Sequence, residues 1–522
     1  MQSPNRRTFL RQSSSLALAS LLPSSLYQRV SFAKTVKAKV HVNFEKPIGK
    51  IEPEIYGQFI EYLGRAITGG VVDAKTNQVR KDVLEKIKRL QTPLLRFPGG
   101  TVTKIYHWQD GIGPKNLRPV RPNLIWGGEE SNQFGTNEFI DYCRMLKTDP
   151  FLVVNMNTGT PEEASNWVEY CNSAGNTSFA SLRKKHGYPQ AHKVKYWGLG
   201  NEESAVPDTG RLQDPNKYVE IAWQYAKLMK LQDPNISLVL AGGDTKWNET
   251  LIKELHPIAD YISLHYYANS KKGQPASLFA HIDTFEKEIV ATKKLIQELA
   301  PEKVENFNRW YRFPPRKKAL KIALDEWGIW ENEGKGAYNL EVTYQWFHAL
   351  GVAGFLNIFQ RQADIVGMAT WAQTVNVLAP IMTNEKESIC QTVFYPLELY
   401  RKYCTGTSIA TEVESPALEQ SGAENLGILD TAASYDEDTK TITLAIINRH
   451  PTVAVETEIE WKGIKPNSIV EIHELTADSY FAFNDINNPK KEVVKYRRKE
   501  INDLKMVTFE PASINILNYK IH

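Results

Sequence analysis

The feature that most constrains the fold is an alternation of strand-like and helix-like segments between residues 51 and 373. Eight short runs rich in β-branched and aromatic residues alternate with segments whose apolar residues recur at helical spacing. Such strand–helix–strand connections favour a parallel sheet covered by helices. Eight units over about 300 residues match a (β/α)8 barrel with insertions. The predicted strands are 54–60, 92–97, 150–156, 194–200, 236–242, 260–265, 321–325 and 364–370.

Polar and titratable residues stand at the carboxyl ends of nearly all the predicted strands. A barrel enzyme builds its site from residues at these ends, because they meet around one mouth. A doubly wound sheet also binds ligands beyond its strand ends, so the pattern indicates a site more firmly than it indicates a closed barrel. The residues are Gln58, Glu61, Arg96, Asn155, Asn157, Asn201, Glu202, Asp244, His265, Tyr267, Asp325, Glu326 and Gln373.

Two of these ends carry a glutamate after a buried-strand pattern. The segment 193–203, K-V-K-Y-W-G-L-G-N-E-E, contains Glu202, and the segment 321–327, K-I-A-L-D-E-W, contains Glu326. A retaining glycoside hydrolase uses one carboxylic acid to protonate the leaving oxygen and a carboxylate about 5 Å away to attack the anomeric carbon. We therefore predict that Glu202 is the acid/base and Glu326 the nucleophile of such an enzyme.

Neighbouring residues refine this assignment. The pKa of Glu202 is expected to be raised, because Trp197 gives it an apolar environment and because the second carboxylate also disfavours its charged form. Glu203 lies past the strand end, and Asp325 is expected to point to the opposite face of its strand from Glu326. Neither of these two acids is predicted to take a catalytic role.

His265 ends the sixth predicted strand. A single histidine near carboxylates is more often a hydrogen-bonded neighbour than a catalyst or a metal ligand. The sequence has no second histidine at ligand spacing, and the glycine pairs 69–70 and 127–128 lack the strand–turn–helix context of a phosphate loop. We predict a site with neither a metal nor a cofactor.

Charge and composition narrow the class of partner. A formal charge of +3 in 522 residues, with scattered Lys and Arg, does not indicate nucleic acid binding. The 12 Trp and 23 Tyr supply rings of the kind that stack on sugars, although most are expected to lie in the core. The four cysteines, at 143, 171, 390 and 404, are too widely spaced for a disulfide framework or a zinc site and are predicted to be free thiols.

Residues 1–33 are predicted to be a targeting segment. Arg6 and Arg7, followed by Thr-Phe-Leu-Arg, resemble a twin-arginine signal, and a short apolar stretch lies at 16–22. That stretch is too short to span a bilayer. We predict a chain that is exported after folding to the periplasm or the cell exterior and has no membrane span.

The residue pattern changes after residue 379 from alternating strands and helices to short strands alone. Short alternating runs separated by Pro, Gly, Asn and Asp are typical of an antiparallel β-sandwich. The alternating segment 36–44 precedes the barrel and is predicted to join that sandwich. The expected organisation is a targeting segment at 1–33, a sandwich strand at 34–50, the catalytic barrel at 51–380 and the β-sandwich domain at 381–522.

Several separated motifs together resemble α-L-arabinofuranosidases of glycoside hydrolase family 51, in clan A of the retaining hydrolases. The resemblance runs from about residue 40 to the C-terminus and implies a barrel with a β-sandwich, homo-oligomers, and the same roles for the same two glutamates. The motifs are Y-G-Q-F-I-E-Y-L-G-R at 56–65, L-R-F-P-G-G at 95–100, the segment 108–114, Y-W-G-L-G-N-E at 196–202, D-E-W at 325–327 and A-Q-T-V-N-V at 372–377.

The resemblance also implies a set of substrate-binding residues. By this resemblance Asn201 bonds the sugar 2-hydroxyl and Arg96 supports the nucleophile. The segment 203–208 differs from the acidic, Trp-bearing loop that is usual in the family. The positions that hold the arabinofuranose ring are Glu61, Tyr267 and Gln373, and Thr101 stands where the family commonly has Asn. Thr101 and, from its place at a strand end, His265 are also predicted to bind the substrate.

The leading hypothesis is an exo-acting, retaining α-L-arabinofuranosidase that releases terminal arabinofuranose from arabinan or arabinoxylan by double displacement. Because Thr101 and the segment 203–208 adjoin the sugar site, a galactofuranoside, a β-xyloside or a β-glucan is an alternative substrate for the same mechanism. A carbohydrate-binding protein without turnover is a third alternative. Its signature would be the loss of one strand-end carboxylate, whereas both are present.

Overall fold

The computed structural model describes residues 34–205, 214–305, 307, 311–331, 340–419, 421–466, 470–501 and 505–521. The predicted targeting segment 1–33 and residues 206–208 of the segment 203–208 lie outside these ranges. Among the described helices, none is long and apolar enough to cross a membrane.

Eight parallel strands close into a barrel, which confirms the predicted fold class and excludes the doubly wound sheet. The eighth strand pairs with the first, with Thr370 opposite Gly57 and Ala372 opposite Phe59. Closure leaves no free sheet edge. The strands are Gly57–Phe59, Leu94–Phe97, Asp149–Val154, Tyr196–Leu199, Ser237–Leu240, Tyr261–Ala268, Lys321–Ile329 and Val366–Ala372.

Bulky side chains fill the barrel, so its interior is a packed core. Gly57 is needed at the closing contact, because a Cβ there would lie 2.6 Å from the Ala369 carbonyl oxygen. One buried cluster is formed by Leu94, Phe151, Val153, Tyr196, Val239, Ala323 and Met368.

Helices cover the outside of the barrel, and some begin at side chains that satisfy their free N–H groups. Thr160 accepts a hydrogen bond from the Glu163 backbone N–H, and Asp244 accepts one from the Trp247 backbone N–H. The helices around the barrel are Lys81–Arg89, Thr136–Leu146, Pro161–Asn172, Ser178–Lys185, Pro215–Gln232, Thr245–Leu255, Ser277–Leu299 and Trp346–Arg361, with short 3-10 turns at Pro53–Tyr56, Thr101–Lys104, Trp108–Gly111 and Lys115–Leu117.

A nine-stranded sheet forms the second domain. The N-terminal strand Thr35–Lys50 lies within it, antiparallel to Thr407–Glu414 and parallel to Ala454–Lys462. The hairpin of Ile381–Thr383 with Ser388–Cys390 and the helix Phe394–Tyr403 lie in the chain between the last barrel strand and the other strands of the sheet. A second hairpin pairs Arg121–Pro122 with Glu129–Glu130. The remaining strands of the sheet are Leu429–Asp436, Thr441–Asn448, Val470–Thr476, Lys495–Ile501, Met506–Phe509 and Ser513–Lys520.

The helix Trp346–Arg361 is buried along nearly its whole length, because it packs against the barrel and also against the sheet. Arg361 at its end donates to Asp430 of the sheet at 2.7 Å and to Glu286 of a barrel helix at 2.8 Å. These contacts fix the two domains against each other. The four cysteines are buried and free, as predicted.

Candidate active site

The predicted strand-end residues come together at one mouth of the barrel. Glu202 follows the fourth strand, and Glu326 of the seventh strand lies in register with His265 of the sixth. One carboxylate oxygen of Glu202, one of Glu326 and a ring nitrogen of His265 all lie within 4.8 Å of one another. The two glutamates therefore have the close spacing of a retaining pair, whose carboxyl groups stand about 5 Å apart.

Two donors hold the Glu326 carboxylate. The Tyr267 hydroxyl donates to Oε1 at 2.6 Å, and Arg96 Nη1 donates to Oε2 at 3.1 Å. Both are hydrogen bonds to a charged group, which are short and directional. Gly100 packs against the same carboxylate, where a Cβ would lie 2.9 Å from Oε2. The orientation of Glu326 thus depends on a side chain being absent at residue 100.

Glu202 is paired with His265. His265 Nδ1 lies 2.9 Å from Glu202 Oε1. Burial lowers the pKa of His265, but the charge of Glu326 and the contacts with the other two acids outweigh burial and raise the pKa to about 10. The imidazole is therefore cationic at neutral pH and donates from both ring nitrogens. In that form it has no lone pair to offer a metal ion, although the three side chains have a spacing that a cation would fit.

The expectation that apolar surroundings would raise the pKa of Glu202 is wrong. Burial acts in that direction, but the hydrogen bond and charge of His265, with the charges of Lys104 and Arg96, lower the pKa below its ordinary value. At neutral pH the proton of the Glu202–His265 pair therefore lies on the imidazole, which is hydrogen-bonded to the Glu202 carboxylate. Glu202 also has a φ of 46°, a left-handed conformation that non-glycine residues rarely adopt outside functional sites and turns.

Asp325 lies in the site and does not turn away from it, contrary to the alternation argument. The pairing of its strand with the sixth strand is irregular between Ala323 and Glu326, so two successive acids reach the same buried cluster. Asp325 is 3% exposed. Its carboxylate lies 3.5 Å from His265 Nε2 and 3.7 Å from Arg96 Nε.

Glu61 and Gln373 form another wall of the site. Gln373 Nε2 donates to Glu61 Oε2 at 2.8 Å, and Trp126 Nε1 and the Val102 backbone N–H donate to Oε1 at 3.0 and 3.1 Å. Burial, assisted by the charge of Glu326, raises the pKa of Glu61 to about 7. The protonation of this carboxyl group therefore changes in the neutral pH range.

Asn201 and Thr101 complete the predicted set. Arg96 Nη2 donates to Asn201 Oδ1 at 2.5 Å, whereas Asn201 Nδ2 and Gln373 Oε1 are buried without a hydrogen-bond partner. Such atoms are costly until a ligand satisfies them, so they suit the hydroxyl groups of a sugar. Thr101 is buried and opens the 3-10 turn that follows Gly100.

Three residues that contact this network were not predicted, namely Lys104, Ser263 and Trp126. Lys104 is fully buried, and its Nζ lies 3.3 Å from the Glu202 carbonyl oxygen and 3.9 Å from Glu203 Oε2. Ser263 donates a hydrogen bond to Asp325. Its position two residues before His265 on the same strand face is a signal that could have identified it. Lys104 and Trp126 come from the excursion after the second strand, where the sequence has no periodic signal.

A cavity of about 580 Å³ opens beside Glu202 on the side of His265. Its wall includes Ser204 and Ala205, which belong to the segment 203–208. It is also lined by Asp244, Trp247 and Glu288. The cavity adjoins Glu202, so Ser204 and Ala205 border the space beside the acid/base candidate.

Two family models match the chain. Residues 86–288 match the α-L-arabinofuranosidase 1 domain, and residues 325–513 match the α-L-arabinofuranosidase C-terminal domain. The chain is 37% identical over 488 residues to probable α-L-arabinofuranosidase C of Aspergillus flavus, a match that covers 88% of this chain and 93% of that protein. It is 32% identical over 513 residues to intracellular exo-α-(1→5)-L-arabinofuranosidase 1 of Bacillus subtilis, covering 93% of this chain and 99% of that protein.

Solved structures give the same relationship. An arabinose complex of α-L-arabinofuranosidase from Thermotoga maritima superposes with a TM-score of 0.83 at 34% identity and covers 93% of this chain and 100% of its own. The family 51 α-L-arabinofuranosidase of Thermotoga petrophila superposes with a TM-score of 0.82 at 34% identity, covering 92% and 100%. The likeness therefore includes both the barrel and the β domain.

Proposed function

Because this chain belongs to glycoside hydrolase family 51, the α-L-arabinofuranosidases, we propose that it is an exo-acting, retaining α-L-arabinofuranosidase. It releases terminal arabinofuranose from glycans of the arabinan or arabinoxylan type. The observation that carries the mechanism is the approach of Glu202 and Glu326 to within 4.8 Å at the barrel mouth. This spacing is that of a retaining pair, whereas the two carboxyl groups of an inverting enzyme stand about 6.5–9.5 Å apart.

In the first step Glu326 attacks the anomeric carbon and forms a covalent ester as the bond to the leaving oxygen breaks. The Tyr267 and Arg96 hydrogen bonds aim the two carboxylate oxygens before the substrate arrives. The leaving oxygen takes a proton from the Glu202–His265 pair, so it departs as an alcohol. The pair is left with one proton fewer.

In the second step water attacks the same carbon and releases Glu326 as a carboxylate. The Glu202–His265 pair accepts the proton that the water loses, which restores the starting state. Two successive inversions at one carbon give net retention. The pair therefore acts first as acid and then as base, and its proton is the group that the reaction consumes and regenerates.

The sugar is recognised by hydrogen bonds at its hydroxyl groups. Asn201 Nδ2 and Gln373 Oε1 are the buried atoms that a sugar satisfies, and Glu61 accepts or donates there according to its protonation. A wrong sugar leaves such groups unpaired, which is why polar contacts discriminate strongly. Thr101 supplies one hydroxyl beside Gly100, where the family commonly has the amide of Asn.

The proposal is tested by release of nitrophenol from the α-L-arabinofuranoside, the β-galactofuranoside and the β-xyloside. Wild-type turnover of the arabinofuranoside, lost in Glu326→Ala, supports sugar and nucleophile together. Glu54→Ala is the matched control, because Glu54 is half-buried at the other end of the barrel, where it accepts from Tyr196. Preferential turnover of another sugar contradicts the substrate, and an initially inverted anomer in proton NMR contradicts the mechanism.

Export through the segment 1–33 is part of the same proposal and rests on Arg6 and Arg7 in a twin-arginine-like pattern. The relative from Bacillus subtilis is described as intracellular, so location is a property to measure in this chain. Cell fractionation of the wild type and of Arg6→Lys with Arg7→Lys tests it. Export that is lost in the double variant supports the signal, and retention of the wild type in the cytoplasm contradicts it.

We also propose that the chain forms a homo-oligomer, on the basis of its resemblance to family 51. Light scattering coupled to gel filtration measures the mass in solution against the 59.4 kDa of one chain. A mass equal to one chain contradicts the proposal.

A further inference from the structure

Asp325 stands between the two cations of the active site. Its Oδ1 lies 3.5 Å from His265 Nε2, and its Oδ2 lies 3.7 Å from Arg96 Nε. We propose that Asp325 is a positioning residue, whose carboxylate holds His265 against Glu202 and Arg96 against Glu326 and so keeps the proton of the Glu202–His265 pair in place. This proposal rests on the proposed function and assigns a role to an acid that the mechanism above does not use.

The first arm runs through His265. Its Nδ1 faces Glu202 at 2.9 Å and its Nε2 faces Asp325, so acids stand at both ring nitrogens. Ser263 donates to the Asp325 oxygen that faces the ring. A ring held at both nitrogens by acceptors keeps one orientation as a cation, and rotation would remove its hydrogen bond to the acid/base.

The second arm runs through Arg96. Arg96 Nη1 donates to the Asp325 carbonyl oxygen at 2.8 Å and to Glu326 at 3.1 Å, and Nη2 donates to Asn201. The carboxylate of Asp325 adds an ion pair at the remaining edge, Nε. Asp325 thus holds the guanidinium of Arg96 with both its carbonyl oxygen and its carboxylate. Held in this way, Nη1 also reaches Glu326 and Nη2 reaches Asn201.

The charge of Asp325 is expected to affect the pKa of His265. Burial raises the pKa of Asp325, but Arg96, His265 and Ser263 outweigh burial and keep it ionised. Removing that charge takes away one of the acids that stabilise the imidazolium, and a charge at this range shifts a pKa by about 1–3 units. The charged and titratable groups that face His265 or adjoin its partners are Glu202, Asp325, Glu326, Tyr267, Arg96, Lys104, Glu61 and Glu203.

The experiment is the pH profile of kcat/KM for Asp325→Asn, a change that keeps the side-chain shape and removes the charge. We expect the alkaline limb to move toward acid by about 1–3 pH units, because the Glu202–His265 pair loses its proton earlier. A variant with a lower kcat and an unmoved alkaline limb would show that Asp325 only supports the fold, and would overturn the proposal.

Two variants separate charge from packing. Ser263→Ala removes the donor to Asp325 and keeps its charge, so kcat is expected to fall while the alkaline limb stays in place. Asp260→Asn removes a half-buried aspartate, which lies 3.7 Å from Lys230 at the opposite end of the barrel. It is expected to leave the profile unchanged, and an equal shift in this control would contradict a specific role for Asp325.

Histidine nitrogen NMR gives a readout that needs neither turnover nor a folded Asp325→Asn variant. In wild-type protein labelled with ¹⁵N-histidine and assigned through His265→Gln, both His265 nitrogens are expected to show imidazolium shifts at pH 7. Neutral shifts would overturn the proposal even if Asp325→Asn does not fold. If the imidazolium is found and its titration moves in Asp325→Asn while no arabinofuranoside is hydrolysed, the coupling stands and the proposed function fails.

Discussion

Gln373 Nε2 donates a 2.8 Å hydrogen bond to Glu61 Oε2, which joins side chains 312 positions apart in the chain. The two residues follow the eighth and first barrel strands, so the bond lies where the barrel closes. It places a buried acid beside the nucleophile candidate, and that acid carries a raised pKa. Barrel closure therefore completes the site as well as the sheet, and it makes the site sensitive to pH.

Glu61 is expected to make stability depend on pH. Its pKa rises from an ordinary 4.5 to about 7 on folding, so its contribution is fully present below pH 4.5 and is lost as pH rises through 7. Relative to Glu61→Gln, the wild-type free energy of unfolding should fall by about 1.4 kcal/mol per pH unit across this window. Urea unfolding of both proteins from about pH 5 to 8 measures the difference, and a constant difference would contradict the prediction.

Glu202→Ala should affect substrates according to their leaving group. A dinitrophenol leaves without a proton, whereas a sugar hydroxyl needs one, so the loss of kcat should be far larger on an arabino-oligosaccharide. General acid catalysis contributes about 10²–10⁴-fold, which sets the expected difference between the two substrates. Equal losses on both substrates would argue against the acid/base role.

Tyr267→Phe removes the hydroxyl that donates to Glu326 at 2.6 Å. A hydrogen bond to a charged group contributes about 1.5–3 kcal/mol, so kcat/KM should fall by roughly 10- to 100-fold. Tyr266→Phe is a close control, because the neighbouring hydroxyl donates to the His281 carbonyl oxygen on the outer side of the strand. If the two variants lose equal activity, the effect comes from the strand and not from the bond to Glu326.

Lys104→Met should destabilise the fold. It removes the cation beside the buried Glu203, and breaking a buried pair costs about 3–5 kcal/mol. Lys75→Met removes a cation from the exposed pair with Glu385, 3.5 Å apart, and should cost less than about 1 kcal/mol. Denaturant unfolding of both variants measures the contrast, and a cost below about 1 kcal/mol for Lys104→Met would mean that Glu203 is neutral in the fold.

The strand ends were predictable because a parallel barrel brings its carboxyl ends to one mouth. Glu202, Glu326, His265 and Arg96 were all found in this way, and the structure brings them into one network. Their catalytic roles stay predictions until the variants are measured. Lys104 and Trp126 were missed, because they lie in an excursion whose path no periodicity describes.

The sequence by itself determined the alternation of strands and helices and the positions at which polar residues end the strands, because both depend on local periodicity. Only the tertiary structure decided the protonation and aim of those residues. Irregular pairing between Ala323 and Glu326 brings Asp325 into the cluster, where local alternation had turned it away. His265 lowers the pKa of Glu202, where local apolarity had predicted a rise. A pKa depends on charges within a few ångströms in space, and these come from strands far apart in the chain.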